Sequence, residues 1–338
     1  MVIAAPAFGE GPLARLQGVE NTELEERIYE ILGTIKAPAN DGIAIRRDLR
    51  TAQDRASRFL RAQGYYAAEV HGEVDEAGQA LLRIIAGPQF AVDDISVETS
   101  NLGANIIARG AIEYPADNAL TADWVLGAEA AIQAALENAG WPESEPLPRD
   151  VVVDHARQVG DVFFHFRTGP FTRYGDIRLQ TENWRPEFIQ RLAALQPGAP
   201  ARLAGLNAFE SRLEGLASVR EARISLGEPE GGDDIRTVNV ALTPAPRHVV
   251  EATISLSTTE GAGIGTSWSR RNLFGGDETL RLTGEFATLV QSVQAELSLP
   301  YWRRIDQRLV LNTGLKSEDT DAFQQNEWTE GVALYREL

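Results

Sequence analysis

"SRRNLFGGDETLRLTGEF", residues 269–286, decides how the C-terminal part of this chain is read. Before its Gly-Gly pair, Ile264, Thr266 and Trp268 fall at every second position, and after it Leu280, Leu282 and Phe286 do the same. A period of two is that of strands with one apolar face. Gly275-Gly276 is read as supplying the positive φ angles of a tight turn between them.

The alternation continues outward in both directions. Val249 opens a segment in which Val250, Ala252, Ile254 and Leu256 alternate with Glu251, Thr253, Ser255 and Ser257. Later come Val293, Ala295, Leu297 and Leu299, then Leu309, Leu311 and Leu315, and a sixth candidate near Trp328 to Leu334. Each segment has about ten residues, the length with which a tilted strand crosses a bilayer. A soluble sandwich gives the same alternation, so turn chemistry has to separate the two. "RRNLFGGDE" and "PYWRRIDQ" fall at one end of the strands and join Phe274, or Tyr301 and Trp302, to arginine pairs, as an interfacial aromatic girdle would. "SEDTDAFQQNE" falls at the other end, longer and acidic like an external loop.

Upstream of Pro246 the chain repeats itself. "GPQFAVDDISV" from Gly87 and "GPFTRYGDIRL" from Gly169 share G-P, a gap and D-I, with Ile95 and Ile177 as matching positions. Such self-similarity marks tandem modules. The first has a strand at Leu13–Gln17, a helix with Thr22 and Glu25 as capping box, a helix from Ile45 to Gln63 stopped by Gly64, and a hairpin around "DEAG". The third reads the same way, strand, two helices, two strands. In the second, a helix near Trp124 to Asn138 and strands near Val151–His155 and Val162–Arg167 are clear, whereas the first helix is not. The fold class is therefore α+β modules at 1–87, 88–169 and 170–246, followed by antiparallel strands at 247–338, with hinges at Gly87, Pro88, Gly169 and Pro170. Residues 1–12, "MVIAAPAFGEGP", are either the remnant of an export signal or an apolar first strand.

Composition narrows the function. The 338 residues carry a formal charge of −17 and two lysines, Lys36 and Lys316, so nucleic acid is not an expected partner. No cysteine is present, which removes thiol nucleophiles, disulfides and thiolate metal sites. The four histidines, His71, His155, His165 and His248, form no H-E-x-x-H, and neither a G-x-S-x-G elbow nor a Walker lysine loop occurs. "GAGIG" at 261–265 is followed by strand, not by a helix that could present amides to phosphate. No enzyme activity, cofactor or metal is expected.

The strand-helix-helix-strand-strand modules, "GYY" at 64–66 and the opening "NLFGGDE" at 272–278 resemble the Omp85 superfamily, whose periplasmic modules are called POTRA domains. Three modules resemble its TamA-like translocation and assembly group, whereas two would suggest two-partner secretion transporters. The resemblance implies an outer membrane protein with its modules in the periplasm. It also implies partners: outer membrane lipid, unfolded β-barrel or autotransporter clients, and a TamB-like inner-membrane-anchored periplasmic protein. Clients would pair by strand addition at module edges and at a lateral seam formed by Val249–Ser257. The family barrel has sixteen strands and about six fit here, so this reading takes the chain as cut short at Leu338. The alternatives are a soluble periplasmic POTRA-type adaptor ending in a β-sandwich and a two-partner secretion type transporter.

Overall fold

Leu24, Ile28 and Leu32 recur one helical turn apart, and in the computed structural model they are the buried stripe of a helix. Residues 11–35, 42–76, 79–229, 234–257, 261–319 and 323–336 are described. Contacts divide the chain into two units, residues 1–136 with 143–169, and residues 137–142 with 170–338.

The first unit opens with β1 (Gly11–Pro12), β2 (Arg15–Gln17), α1 (Thr22–Leu32) and β3 (Thr34–Ile35), followed by α2 (Gly42–Ala62), β4 (Glu69–Val74) and β5 (Ala80–Ile85). Asn21 rather than Thr22 caps α1, its Oδ1 accepting the Leu24 N–H at 3.1 Å. The apolar residues of α2 that are spaced for one face, Leu49, Ala52, Ala56, Phe59 and Leu60, are all buried. Gly64 follows with φ +86, and the turn at 75–78 lies partly outside the described residues.

The same unit continues through β6 (Ala91–Thr99), α3 (Leu102–Gly110), α4 (Ala122–Ala139), β7 (Glu145–Pro146), β8 (Asp150–Asp154) and β9 (Val159–Arg167). The helix left unclear by the sequence is α3. It buries only the small Ala104 and Ala108 and leaves Leu102, Ile106 and Ile107 exposed, so its large apolar residues do not mark the core side. His155 packs edge-on against Phe90 at 5.3 Å, whereas His165 lies 3.2 Å from Glu98 and 3.5 Å from Asp150.

The second unit begins with β10 (Arg173–Leu179), α5 (Pro186–Ala193), α6 (Leu203–Glu214), β11 (Val219–Pro229) and β12 (Ile235–Pro244). Phe188, Ile189, Leu192, Phe209 and Leu213 from its helices meet Val238 and Val240 of the sheet in one core. The three sheets share one topology: the first long strand runs parallel to the last, and the strand before the last is antiparallel to it, giving the orders β2-β5-β4, β6-β9-β8 and β10-β12-β11. The sequence repeat has a structural counterpart. The β6–β9 ladder shifts register between Val92 and Ile95, and the β10–β12 ladder between Tyr174 and Ile177, which are the matching positions of the repeat.

Beyond Pro246 the chain forms a six-stranded antiparallel meander of β13 (His248–Ser257), β14 (Gly261–Arg271), β15 (Thr279–Ala287), β16 (Val290–Pro300), β17 (Gln307–Asp319) and β18 (Gln324–Arg336). Most of the stretch read as a long acidic loop at 317–327 is strand, because β17 runs to Asp319 and β18 starts at Gln324. Among the described residues no helix is long and apolar enough to cross a membrane, which leaves open a crossing by strands.

Candidate strand-pairing edge and its anchor

Register sorts the meander into two faces. Val250, Trp268, Leu282 and Ala295 lie side by side, and Leu280, Leu297, Leu311 and Val332 form a neighbouring row. On the opposite face, Glu251, Ser267, Thr283, Gln294, Gly314 and Thr329 are aligned. The apolar face is bare: Ile254 is 87% exposed, Leu256 88% and Val332 75%. A sandwich would cover these side chains with a second sheet, and among the described residues none does so. Covering each such side chain with hydrocarbon stabilises by about 1.5–3 kcal/mol relative to water.

At one margin of this sheet is β13, paired to β14 from His248–Arg270 to Ser257–Gly261. Its other edge has no strand partner among the described residues. Val249, Val250, Glu251, Ala252, Thr253, Ile254, Ser255, Leu256 and Ser257 thus lie on a margin that can accept a strand, with Val250, Ala252, Ile254 and Leu256 on the apolar face.

The connection 272–278 between β14 and β15 anchors this margin. It is not the two-residue turn expected from Gly275-Gly276: Asn272, Gly275 and Asp277 take positive φ angles of 54°, 87° and 64°, while Gly276 does not. The loop folds onto the helix-to-strand corner of the preceding sheet. Asp277 Oδ1 accepts the Ser218 N–H at 2.7 Å and its Oδ2 accepts the Ala217 N–H at 3.0 Å. Glu278 accepts the N–H groups of Phe274 and Gly276, both at 3.0 Å, and its other oxygen meets Arg185 Nη2 at 2.8 Å. Arg185 also donates its backbone N–H to the Gly275 carbonyl at 2.9 Å. Asn183 accepts twice, through its carbonyl from Asn272 Nδ2 and through its Oδ1 from Arg247, each at 2.7 Å. Burial pushes the Asp277 carboxyl above its ordinary range and the nearby Glu278 charge adds to this, against the pull of the bonds from Ser218 and Ala217. What the site offers is an open hydrogen-bonding margin held by a buried polar anchor.

A family model described as POTRA domain, TamA domain 1, matches residues 14–85. Among solved structures, BamA from Haemophilus ducreyi lacking POTRA domains 1–3 superposes with a TM-score of 0.61 at 15% identity, over 72% of this chain and 47% of that one. Residues 14–85 thus match a POTRA domain, and over the superposed part the fold is like that of this BamA. CdiB from Acinetobacter baumannii is also similar, at 12% identity and a TM-score of 0.43, over 95% of this chain and 60% of that one. The chain thus spans about half the length of that BamA and three-fifths of that CdiB. Comparison with curated protein sequences gave no match.

The other expected site residues separate. Gly87 and Gly169, each followed by proline, take φ +68 and +65. Past the second of these, Thr172 donates to the Gly140 carbonyl at 2.8 Å and Phe171 packs edge-on against Trp141 at 5.2 Å, so this segment is held by packing. Phe274 and Trp302 are exposed, as interfacial side chains would be. Tyr301, expected with them, instead packs against Phe188 of the α5–α6 core, ring centroids 6.0 Å apart. The anchor residues Arg185, Ser218, Asp277 and Glu278 were not among the expected site. Their only local signal was an acidic pair directly after Gly-Gly.

Proposed function

We propose that the protein is an outer membrane assembly factor that helps insert or translocate β-barrel proteins and autotransporters. It works in the bacterial outer membrane with its POTRA domains in the periplasm. One arrangement supports this: among the described residues no strand pairs with the outer edge of β13, beside a bare apolar face, while the 272–278 loop ties its neighbours to the α5–α6 core. A client strand that pairs with β13 satisfies its own backbone groups as it enters hydrocarbon, where an unpaired group costs several kcal/mol. The finer assignment is TamA-like, motivated by the match at 14–85, with a TamB-like inner-membrane-anchored protein as partner.

Proline scanning of β13 tests this. Successive N–H groups of an antiparallel strand point to opposite sides, so of Thr253→Pro and Ile254→Pro one breaks the ladder to β14 and the other removes a donor from the open edge. The variant whose barrel still shifts in electrophoretic mobility on heating is expected to lose client assembly in cells. Normal client assembly by that variant would sink the proposal.

A further inference from the structure

The two helices of the POTRA domain at 14–85 turn opposite charges outward. α1 buries Leu24, Ile28 and Leu32, and on its other side Glu23, Glu26 and Glu30 are exposed three and four residues apart as one ridge. α2 buries Leu49, Ala52, Ala56, Phe59 and Leu60, and its exposed side carries Arg47, Arg50, Arg58 and Arg61 around the single acid Asp54. In a chain of formal charge −17 this arginine ridge is a local reversal of sign.

Two contacts fix how the ridges lie side by side. Arg27 of α1 stacks over the Phe59 ring at 5.3 Å, and Arg55 Nη1 donates to the Leu32 carbonyl at 2.8 Å. Going along α1 from Arg27 to Leu32 thus goes back along α2 from Phe59 to Arg55, so the helices are antiparallel. Glu26 then lies level with Arg61, and Glu30 within about two residues of Arg58, roughly 3 Å at the helical rise. Arg27 marks the furrow between the ridges, and Ile31, one turn further on, is on the same side and 42% exposed. The ridges do not neutralise each other across it: among the described residues no side-chain hydrogen bond or ion pair reaches the charged groups of Glu26, Glu30, Arg58 or Arg61.

We propose that this face binds a second copy of the chain. A two-fold axis running along the helices, midway between the ridges, keeps every residue at its level and exchanges left for right. Glu26 and Glu30 of each copy then face Arg61 and Arg58 of the other, and Ile31 meets its counterpart at the axis. A surface of phosphates or an acidic protein would draw on the arginines and be repelled by the glutamates beside them, whereas a copy of this chain satisfies both ridges at once. Each exposed pair contributes little, so the dimer is weak and salt-sensitive. The pairing is independent of whether the strands beyond Pro246 cross a membrane.

Charge reversal decides it. Sedimentation velocity of the whole chain in nonionic detergent is expected to show a dimer at low salt that dissociates as salt is raised. Glu26→Arg with Glu30→Arg makes both ridges basic at the contact, and Arg58→Glu with Arg61→Glu makes both acidic. Each variant alone is expected to be a monomer, and an equimolar mixture of the two is expected to recover the dimer, because each then meets its complement on both ridges. A native monomer at low salt, a dimer persisting in either variant, or a mixture that stays monomeric overturns the proposal. So does a native monomer that co-sediments with anionic phospholipid vesicles through Arg58 and Arg61, which would assign the face to lipid. Should a reversal prevent folding, the corresponding pair of glutamine variants takes its place, and a dimer as tight as the native one overturns the pairing.

Discussion

The Asp277 carboxylate accepts the Ser218 N–H at 2.7 Å, joining residues 59 positions apart in sequence. Its second oxygen takes the Ala217 N–H, so the corner between α6 and β11 depends on the loop between β14 and β15 for two of its donors. Asparagine has one acceptor oxygen and leaves one of these donors without a partner. An unsatisfied buried donor costs about 1–3 kcal/mol. Asp277→Asn is therefore expected to lower unfolding stability by that amount, and Asp277→Ala by more. Denaturant unfolding checks this, and two variants as stable as the native protein would show that the anchor contributes nothing.

The same carboxylate sets a pH dependence. Burial raises its folded pKa above the ordinary value of 3.8, so between the two values the folded state holds a proton that the unfolded chain has released. Its contribution is most favourable below 3.8, declines as pH rises through the raised folded pKa, and is level beyond it. Asp277→Asn should remove this component from a plot of unfolding midpoint against pH. Parallel curves for the two proteins would place the dependence elsewhere.

Local pattern made the strands of the meander legible. Period-two alternation in 250–256 or 293–299 is a property of the strand itself, and register then lines the apolar positions up across the sheet. The same holds for α2, whose buried residues carry the helical period. Legibility ends where a non-local partner decides. In α3 the core takes Ala104 and Ala108 and leaves Leu102 and Ile106 outside, so hydrophobic spacing points to the wrong face. Gly275-Gly276 suggests a tight hairpin, whereas the backbone that forms is set by Arg185 and Ser218, and Tyr301 is drawn to Phe188 for the same reason.

Gly275 tests that loop at one atom. It has φ +87, and a Cβ added there would stand 3.2 Å from the Arg185 backbone nitrogen. Gly198 has a similar φ of +80 with nothing within 4 Å of its Cβ position. Both alanine variants carry the cost of a left-handed conformation, about 1–2 kcal/mol, and only Gly275→Ala must also push the loop off Arg185. Gly275→Ala is expected to be the more destabilising in denaturant unfolding; equal losses would mean that the close approach has no energetic weight.

The Arg185–Glu278 pair is asymmetric, with 54% of the arginine side chain exposed against 6% of the glutamate. Truncating the arginine removes one charged partner in a partly hydrated setting, while Glu278 keeps the N–H groups of Phe274 and Gly276. Arg185→Ala is expected to cost about 1 kcal/mol. Glu278→Ala takes the acceptor from both of those N–H groups as well as from the guanidinium, and a loss of about 2–4 kcal/mol follows. In the double variant the two losses should fall short of additive, because the arginine has nothing left to pair with once the carboxylate is gone. Unfolding of the two single variants and the double variant measures this directly. Additive losses would mean that the carboxylate holds the loop without the ion pair, through its backbone donors alone, whereas an arginine effect as large as the glutamate one would mean that the ion pair, and not those donors, carries the contribution.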